Sequence, residues 1–356
     1  MVSTRRINIC WPQLNITVTA EMRHDVNPTL VDLLYENLPY RSLQNHALVS
    51  GDHLYHLVPT EKLIYTKADF KVPDRTTEPD GTVFLSGLQH LAVKYGPLTE
   101  YLPAAPCGNI VPEDMDKLRT AGRGIWKACN ETKQVIEVIV WDASQPKPKG
   151  RIPLALERAG ISPEIRDLVA AIHQETEASW SGISKDLAKV HQGLSPSLAG
   201  SKGSYFATMV FINGEIRPLG YNVLNNILKV AATQPNFDLE QLAALYTVFA
   251  SVPSEFVGYT GANYLFSTHE AITAMIKKSV LQNRNKEDAR EDLLAMVSAF
   301  AKYVNLLNAQ NLHVFPWKHT KEYPISGVSQ QVDVDSRSWL ERLFAFVTSS
   351  LAPPSK

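Results

Sequence analysis

The chain has 356 residues, more than one core usually fills, so two domains are the natural expectation. Hydrophobic content of 44% and charged content of 20% exclude a disordered chain. With 35 Lys+Arg against 36 Asp+Glu there is no basic excess to suit nucleic acid as a partner.

Cys10, Cys107 and Cys129 are widely spaced and form no CxxC pair. That argues against a disulfide framework or a thiolate zinc site and suits a reducing compartment. The apolar patch near the start is too short for a signal peptide, and no run approaches the ~18–20 apolar residues of a membrane span. A cytoplasmic protein with no membrane partner is expected.

Residues 7–20 alternate and are rich in Ile, Val and Thr, which predicts strand, interrupted at Pro12. Asn27 and Pro28 then open a helix with Leu30, Leu33, Leu34 and Leu38 at helical spacing up to Pro39. Residues 43–49 and 53–58 read as two strands joined through Ser50-Gly51-Asp52. A short strand at 62–65 and a polar loop over 73–81 follow. Residues 82–96 predict two strands around Ser86-Gly87, 97–109 a loop with three prolines, Pro112 another helix start, and 135–140 a last strand. Many short strands with two short helices predict a compact β-barrel over residues 1–145.

Residues 146–153, rich in Pro, Lys and Arg, read as a linker, and beyond it the apolar period becomes helical. One helix is predicted from Ser162-Pro163 to about Val190, followed by a Ser/Gly-rich stretch at 193–203. Asn213-Gly214 between 205–212 and 215–218 predicts a β-hairpin. Helical patterns recur at 222–233, 239–251, 268–282, 286–308 and 336–350. The expected fold is therefore α+β: an N-terminal β-barrel, then a mostly α-helical bundle over 154–356 with one hairpin.

The stretch from Arg41 to His56 gathers one guanidinium, two amides, three imidazoles, two hydroxyls and a phenol among buried-type leucines. A region both half-apolar and rich in acid/base groups is a candidate site. It could equally be a hairpin with polar residues facing outward. A second cluster, His90, Lys94, Tyr95 and Glu100, has the same profile. Rival chemistries lack their signatures. Ala121-Gly-Arg-Gly-Ile-Trp-Lys127 matches only two glycines of a dinucleotide fingerprint, and it falls at a helix end instead of opening one. There is no phosphate-binding GxxxxGK[ST], no HExxH and no GxSxG. His53 and His56, three apart, fall on opposite faces of a strand, so they do not make a metal pair.

Arg41 could grip a carboxylate through its planar fork or make a salt bridge. Gln44 and Asn45 could orient a substrate carbonyl or tie strand ends. His46 could shuttle protons or pack as a structural histidine.

Arg41-Ser-Leu-Gln-Asn-His-Ala-Leu-Val-Ser-Gly51, Asp80-Gly-Thr-Val-Phe-Leu85 and His90-Leu-Ala-Val-Lys-Tyr-Gly96 together resemble the cyclophilin-like barrel family. Within it the chain is similar to the cucumopine and mikimopine synthases, opine synthases encoded on transferred DNA. Asn311-Leu-His-Val-Phe-Pro-Trp317 is the distinctive part of the bundle half. The resemblance implies a Pictet–Spengler condensation of L-histidine with 2-oxoglutarate. An imine forms, an imidazole carbon closes a six-membered ring, and no electrons move, so neither a cofactor nor a metal is expected.

Such a pocket needs donors for three carboxylates, for which Arg41, Gln44, Asn45, Ser50 and Lys94 are the candidates. It also needs an acid for dehydration and a base for rearomatisation, assigned to His46 and His90 with Tyr95 or Glu100. The bundle is expected to act as a lid or as the interface of a homo-oligomer, with His313, Trp317 and His319 either completing the pocket or packing a core. The alternatives are another cofactor-free enzyme of this class acting on a small amide or cyclic amino-acid derivative, or a non-catalytic ligand-binding module.

Overall fold

The structure is a computed structural model in which residues 5–194 and 205–315 are described. The predicted helix at 336–350, the stretch at 195–204, and Trp317 and His319 lie outside the described residues. The chain divides into two compact units. Of the described residues, one unit holds those up to Glu157, Ser179–Ser184 and 306–315; the other holds Arg158–Ala178 and those within Lys185–Asn305.

The first unit is an antiparallel sheet of nine strands: β1 (Arg6–Trp11), β2 (Ile16–Met22), β3 (Tyr40–Leu43), β4 (Asn45–His46), β5 (Gly51–Leu57), β6 (Thr82–Ser86), β7 (His90–Leu98), β8 (Ala105–Ile110) and β9 (Glu137–Asp142). Their spatial order is β3-β9-β1-β2-β8-β6-β7-β5-β4. The two edge strands are consecutive in the chain, with only Gln44 between them, so the sheet comes back on itself and is nearly closed into a barrel. Gln44 spans this seam. Its backbone N–H continues the β3–β9 ladder to Ile136 O (2.9 Å), and its side-chain amide reaches Tyr55 O on β5 (2.9 Å). An edge strand left open offers unpaired backbone groups, and the seam limits that exposure.

Alternation along the strands fills the interior. Ile7, Ile9, Trp11, Val18, Ala20, Leu54, Val83, Leu85, Leu91 and Val93 are all buried in one cluster. Helices α1 (Pro28–Glu36) and α3 (Met115–Lys127) add Leu30, Val31 and Leu34, and Leu118, Ala121 and Ile125. Each large side chain so buried stabilises the unit by ~1.5–3 kcal/mol. Between them α2 (Lys62–Tyr65) is a single turn burying Leu63 and Ile64, which corrects the strand expected there. The glycine pair resembling a nucleotide fingerprint lies inside α3. There, a side chain on Gly122 would meet the Tyr95 ring at 2.7 Å, so these glycines serve close packing.

In the second unit the helices are α4 (Pro163–Ser179), α5 (Lys185–His191), α6 (Tyr205–Arg217), α7 (Asn225–Thr233), α8 (Leu239–Tyr259), α9 (Asn263–Met275) and the greater part of α10 (Lys286–Val314). Buried Asp292 accepts hydrogen bonds from the backbone N–H groups of Ile161 and Ser162 and fixes the start of α4. An Asp238–Gln241 capping box opens α8. The single helix expected to Val190 is broken. Trp180–Ser184 leaves the helical path, and its residues belong to the first unit.

The predicted hairpin at Asn213-Gly214 is also corrected, because the segment is the continuous helix α6. Met209, Ile212 and Ile216 recur at helical spacing and are fully buried. Burying that stripe outweighs the local turn preference of Asn-Gly. Among the described residues no helix is long and apolar enough to cross a membrane.

Candidate active site

Register places the polar residues of β5 and β7 on two opposite faces. His53 pairs with Lys94, Tyr55 with Ala92 and Leu57 with His90, while Phe84 of β6 also faces Ala92. Their neighbours Leu54, Leu91, Val93, Val83 and Leu85 fill the interior core, so His53, Tyr55, Phe84, His90 and Lys94 line the outer face.

Buried Lys94 would be costly there without acceptors. It finds them in Thr76 O (2.9 Å) and Glu78 O (2.5 Å) and so clamps the polar 73–81 loop onto the sheet. Asp74 caps the short 3₁₀ turn of that loop by accepting from the Thr76 N–H at 2.9 Å. The clamp carries Arg75 to Glu100. The guanidinium pairs with Glu100 Oε2, and Ser50 Oγ donates to the same oxygen at 2.6 Å. The Arg75 Nε–H also points at Glu100 O (3.4 Å). Glu100 Oε1 has no partner among the described residues, and the side chain is 34% exposed, so a ligand can reach it.

The same face presents aromatic surface. The Tyr55 and His90 rings lie 4.7 Å apart and tilted, and His53 meets Phe84 edge-on at 6.1 Å. Burial, then the Arg75 charge, with His90 and His46 adding to it, pushes His53 down to about 3, so its imidazole is neutral near pH 7.

Inside the barrel, His46 Nε2 lies 2.7 Å from Tyr95 OH and Nδ1 lies 2.8 Å from Ala47 O. The carbonyl can only accept, so Nδ1 carries the proton and Nε2 receives the Tyr95 hydroxyl. Burial lowers the His46 pKa. Burial and the nearby Asp52 carboxylate raise that of Tyr95. Gly96 makes this possible, because a side chain there would strike Asp52 Oδ2 at 2.2 Å. This dyad is an acid–base pair satisfied from within.

The other sequence-selected donors are spent within the unit. Arg41 donates to Ile152 O and Ser181 Oγ, both at 2.7 Å. The Gln44 amide donates to Asn45 O and Tyr55 O and accepts from Trp11 Nε1 (2.8 Å) and His56 Nδ1 (3.2 Å). His56 Nε2 in turn receives Tyr40 OH at 2.8 Å, and burial pushes this histidine down to about 3. Asn45 Nδ2 donates to Ala309 O (3.1 Å), and its Oδ1 meets His313 Nδ1 (3.0 Å). His313 sits in the last turn of α10 and is fully buried; Cys129 Sγ is 3.5 Å away, with a thiol that burial pushes up to about 12, far from a nucleophilic thiolate.

The structure thus joins Ser50 to Glu100 and His46 to Tyr95, on different faces of the sheet. It places Arg41, Gln44, Asn45 and Lys94 as ties between segments. Arg75 and the platform of Tyr55 and Phe84 are site residues that the sequence did not single out. One signal pointed to Arg75: a lysine in a buried strand needs carbonyls, so a loop had to dock beside it. Among the described residues no group of three or more His, Cys, Asp or Glu could hold a metal ion.

Residues 165–314 match the family model described as the cucumopine synthase C-terminal helical bundle domain. A solved structure, "Structure of McbB in complex with tryptophan", is similar to 89% of this chain and 99% of its own, with 48% sequence identity and a TM-score of 0.82. The solution structure of the hypothetical protein AF2241 from Archaeoglobus fulgidus aligns with 40% of this chain and 100% of its own, at 16% identity and a TM-score of 0.27, too low to support any conclusion. No curated protein matches the chain. A barrel followed by a helical bundle, with this identity across nearly the whole length, makes the chain a member of the cucumopine-synthase-like enzyme family.

Proposed function

We propose that the protein is a Pictet–Spengler synthase that condenses an aromatic α-amino acid with a carbonyl compound, the outer face of β5 and β7 being the site. The observation that carries this reading is Glu100 Oε1, an open carboxylate oxygen whose partner oxygen is fixed by Arg75 and Ser50. The amine and carbonyl join as a carbinolamine, loss of water gives an iminium, and a ring carbon of the side chain attacks it. The new C–C bond leaves a proton on that ring carbon, and Glu100 takes it as rearomatisation proceeds. Arg75 and Ser50 hold the carboxylate in one orientation, which is the proximity part of the catalysis. Tyr55 and His90 offer the ring surface against which a flat substrate stacks. His46 and Tyr95 lie behind this wall and support it from the interior.

For the amine, tryptophan has the broader support, because the full-length likeness is to a protein solved with tryptophan bound. L-histidine with 2-oxoglutarate, giving cucumopine or mikimopine, is the second reading; the match of the bundle to a cucumopine synthase domain favours it. Purified protein is incubated with each amino acid and 2-oxoglutarate or a simple aldehyde, and products are followed by mass. A new species equal to the two reactants less one water, formed with one amine at least, is expected. Consumption of neither amine with any carbonyl partner refutes the proposal.

A further inference from the structure

We propose that His53 Nε2 is the acceptor for the ring N–H of the bound aromatic amino acid, making His53 the residue that selects a nitrogen heteroaromatic side chain over a carbocyclic one. This inference rests on the reaction proposed above and adds to it the chemistry by which the substrate ring is chosen.

His53 is 5% exposed, and its Nε2 has no hydrogen-bond partner among the described residues. A buried polar nitrogen left without a protein partner is a destabilising feature that a bound donor would relieve. The surroundings say what kind of partner fits. His53 shares its sheet face with Tyr55, Phe84 and His90, whose rings provide apolar and stacking surface. A flat heteroaromatic ring placed among them would leave one polar atom unmet, its N–H. Burial first, and then the nearby Arg75 charge, keep the imidazole neutral, so the ring retains a lone pair to offer. An indole or imidazole N–H meets that lone pair. A phenyl ring would leave both the nitrogen unsatisfied and the site's selectivity unused.

The test pairs a change in the protein with a change in the ligand. Binding of tryptophan is compared by calorimetry with binding of benzothienylalanine, in which sulfur replaces the ring N–H at nearly constant shape. The wild-type protein is expected to bind tryptophan about 10-fold more tightly, the value of one hydrogen bond of ~1.4 kcal/mol. His53→Leu should bind the two alike, and His53→Gln, which keeps a polar atom nearby, should retain part of the preference.

Because Nε2 makes no bond in the free protein, His53→Leu should melt no lower than wild type, whereas a structural histidine would cost stability. In the unmodified protein, the imidazole nitrogen NMR signal of His53 should move on adding tryptophan and stay nearly still on adding the sulfur analogue. Equal affinity of wild type for both ligands, a preference that survives in His53→Leu, or an unmoved His53 signal overturns this inference alone. Failure of wild type to bind tryptophan or histidine at all overturns the proposed reaction together with it.

Discussion

Replacing Gln44 by Leu separates a wall residue from a substrate ligand. The amide closes the barrel seam with four hydrogen bonds, to Asn45 O, Tyr55 O, Trp11 Nε1 and His56 Nδ1. Leucine nearly matches its volume and satisfies none of them. Trp11 Nε1 and His56 Nδ1 belong to buried side chains, and each left unpaired costs ~1–3 kcal/mol. The expected loss is therefore about 2–6 kcal/mol, a large share of the ~5–15 kcal/mol by which a domain of this kind is stable. Urea unfolding followed by circular dichroism reads the loss as a lowered midpoint of the barrel transition, and activity corrected for the folded fraction should be unchanged. A variant that unfolds within about 1 kcal/mol of wild type yet loses turnover would refute the seam role and return Gln44 to the substrate.

Three further outcomes are expected. Glu100→Gln keeps the contact to Ser50 but removes the base, so kcat should fall about 10²–10⁴-fold while the melting temperature stays close to wild type; stopped or unchanged product formation by mass decides it. His53 and His56 are both held near a pKa of about 3, below the ~6.5 of an unfolded histidine. The unfolded chain then binds more protons between those values. Their contribution to stability is full above pH 6.5 and declines as pH falls toward 3, with a slope of up to about 3 kcal/mol per pH unit for the pair. Urea midpoints that stay flat from pH 7 to 5 would contradict this. Gly214→Ala, at an exposed position of α6 where a side chain meets nothing within 4 Å, should stabilise the bundle by about 0.8–1 kcal/mol. A decrease would favour the hairpin that Asn213-Gly214 suggests.

Most of the barrel was legible because its strands alternate cleanly, but β8 falls largely within the stretch 97–109 expected as a loop, since Pro106 and Gly108 disguise a strand. Ile7, Ile9 and Trp11 announce β1, and Val83 and Leu85 announce β6, since one side of each must be buried. The bundle was legible from the same logic at a longer period, except where a strong two-residue signal was trusted over the stripe Met209, Ile212 and Ile216. The site was only half legible. Clusters at 41–56 and 90–100 mark the right strands, yet a run of residues says nothing of which polar groups are consumed by their neighbours. Arg41, Gln44 and Asn45 look like ligands because their donors are plentiful; their partners, Ile152, Tyr55 and Ala309, come from distant parts of the chain. His53 drew notice only as a histidine that strand alternation separates from His56, and the same alternation sends it outward. Arg75 was missed because a polar loop carries no period at all.

The chain's detour at Trp180–Ser184 and its return from Leu306 have a consequence for how the protein is made. Trp180 Nε1 donates to Arg41 O, Gln310 accepts from Ser184 N–H and donates to Ser179 O, and Leu57, Leu154, Trp180, Leu306 and Ala309 form a small apolar cluster of their own. Asn45 waits for Ala309 and His313. During synthesis, then, the barrel cannot be completed when its last strand leaves the ribosome. It must remain partly open until residues near 315 emerge, so the helical half is translated in the presence of an unfinished first half. A fragment ended at the apparent domain boundary would carry that unfinished state permanently, with Asn45 deprived of Ala309 and His313, and Leu57 of Trp180, Leu306 and Ala309.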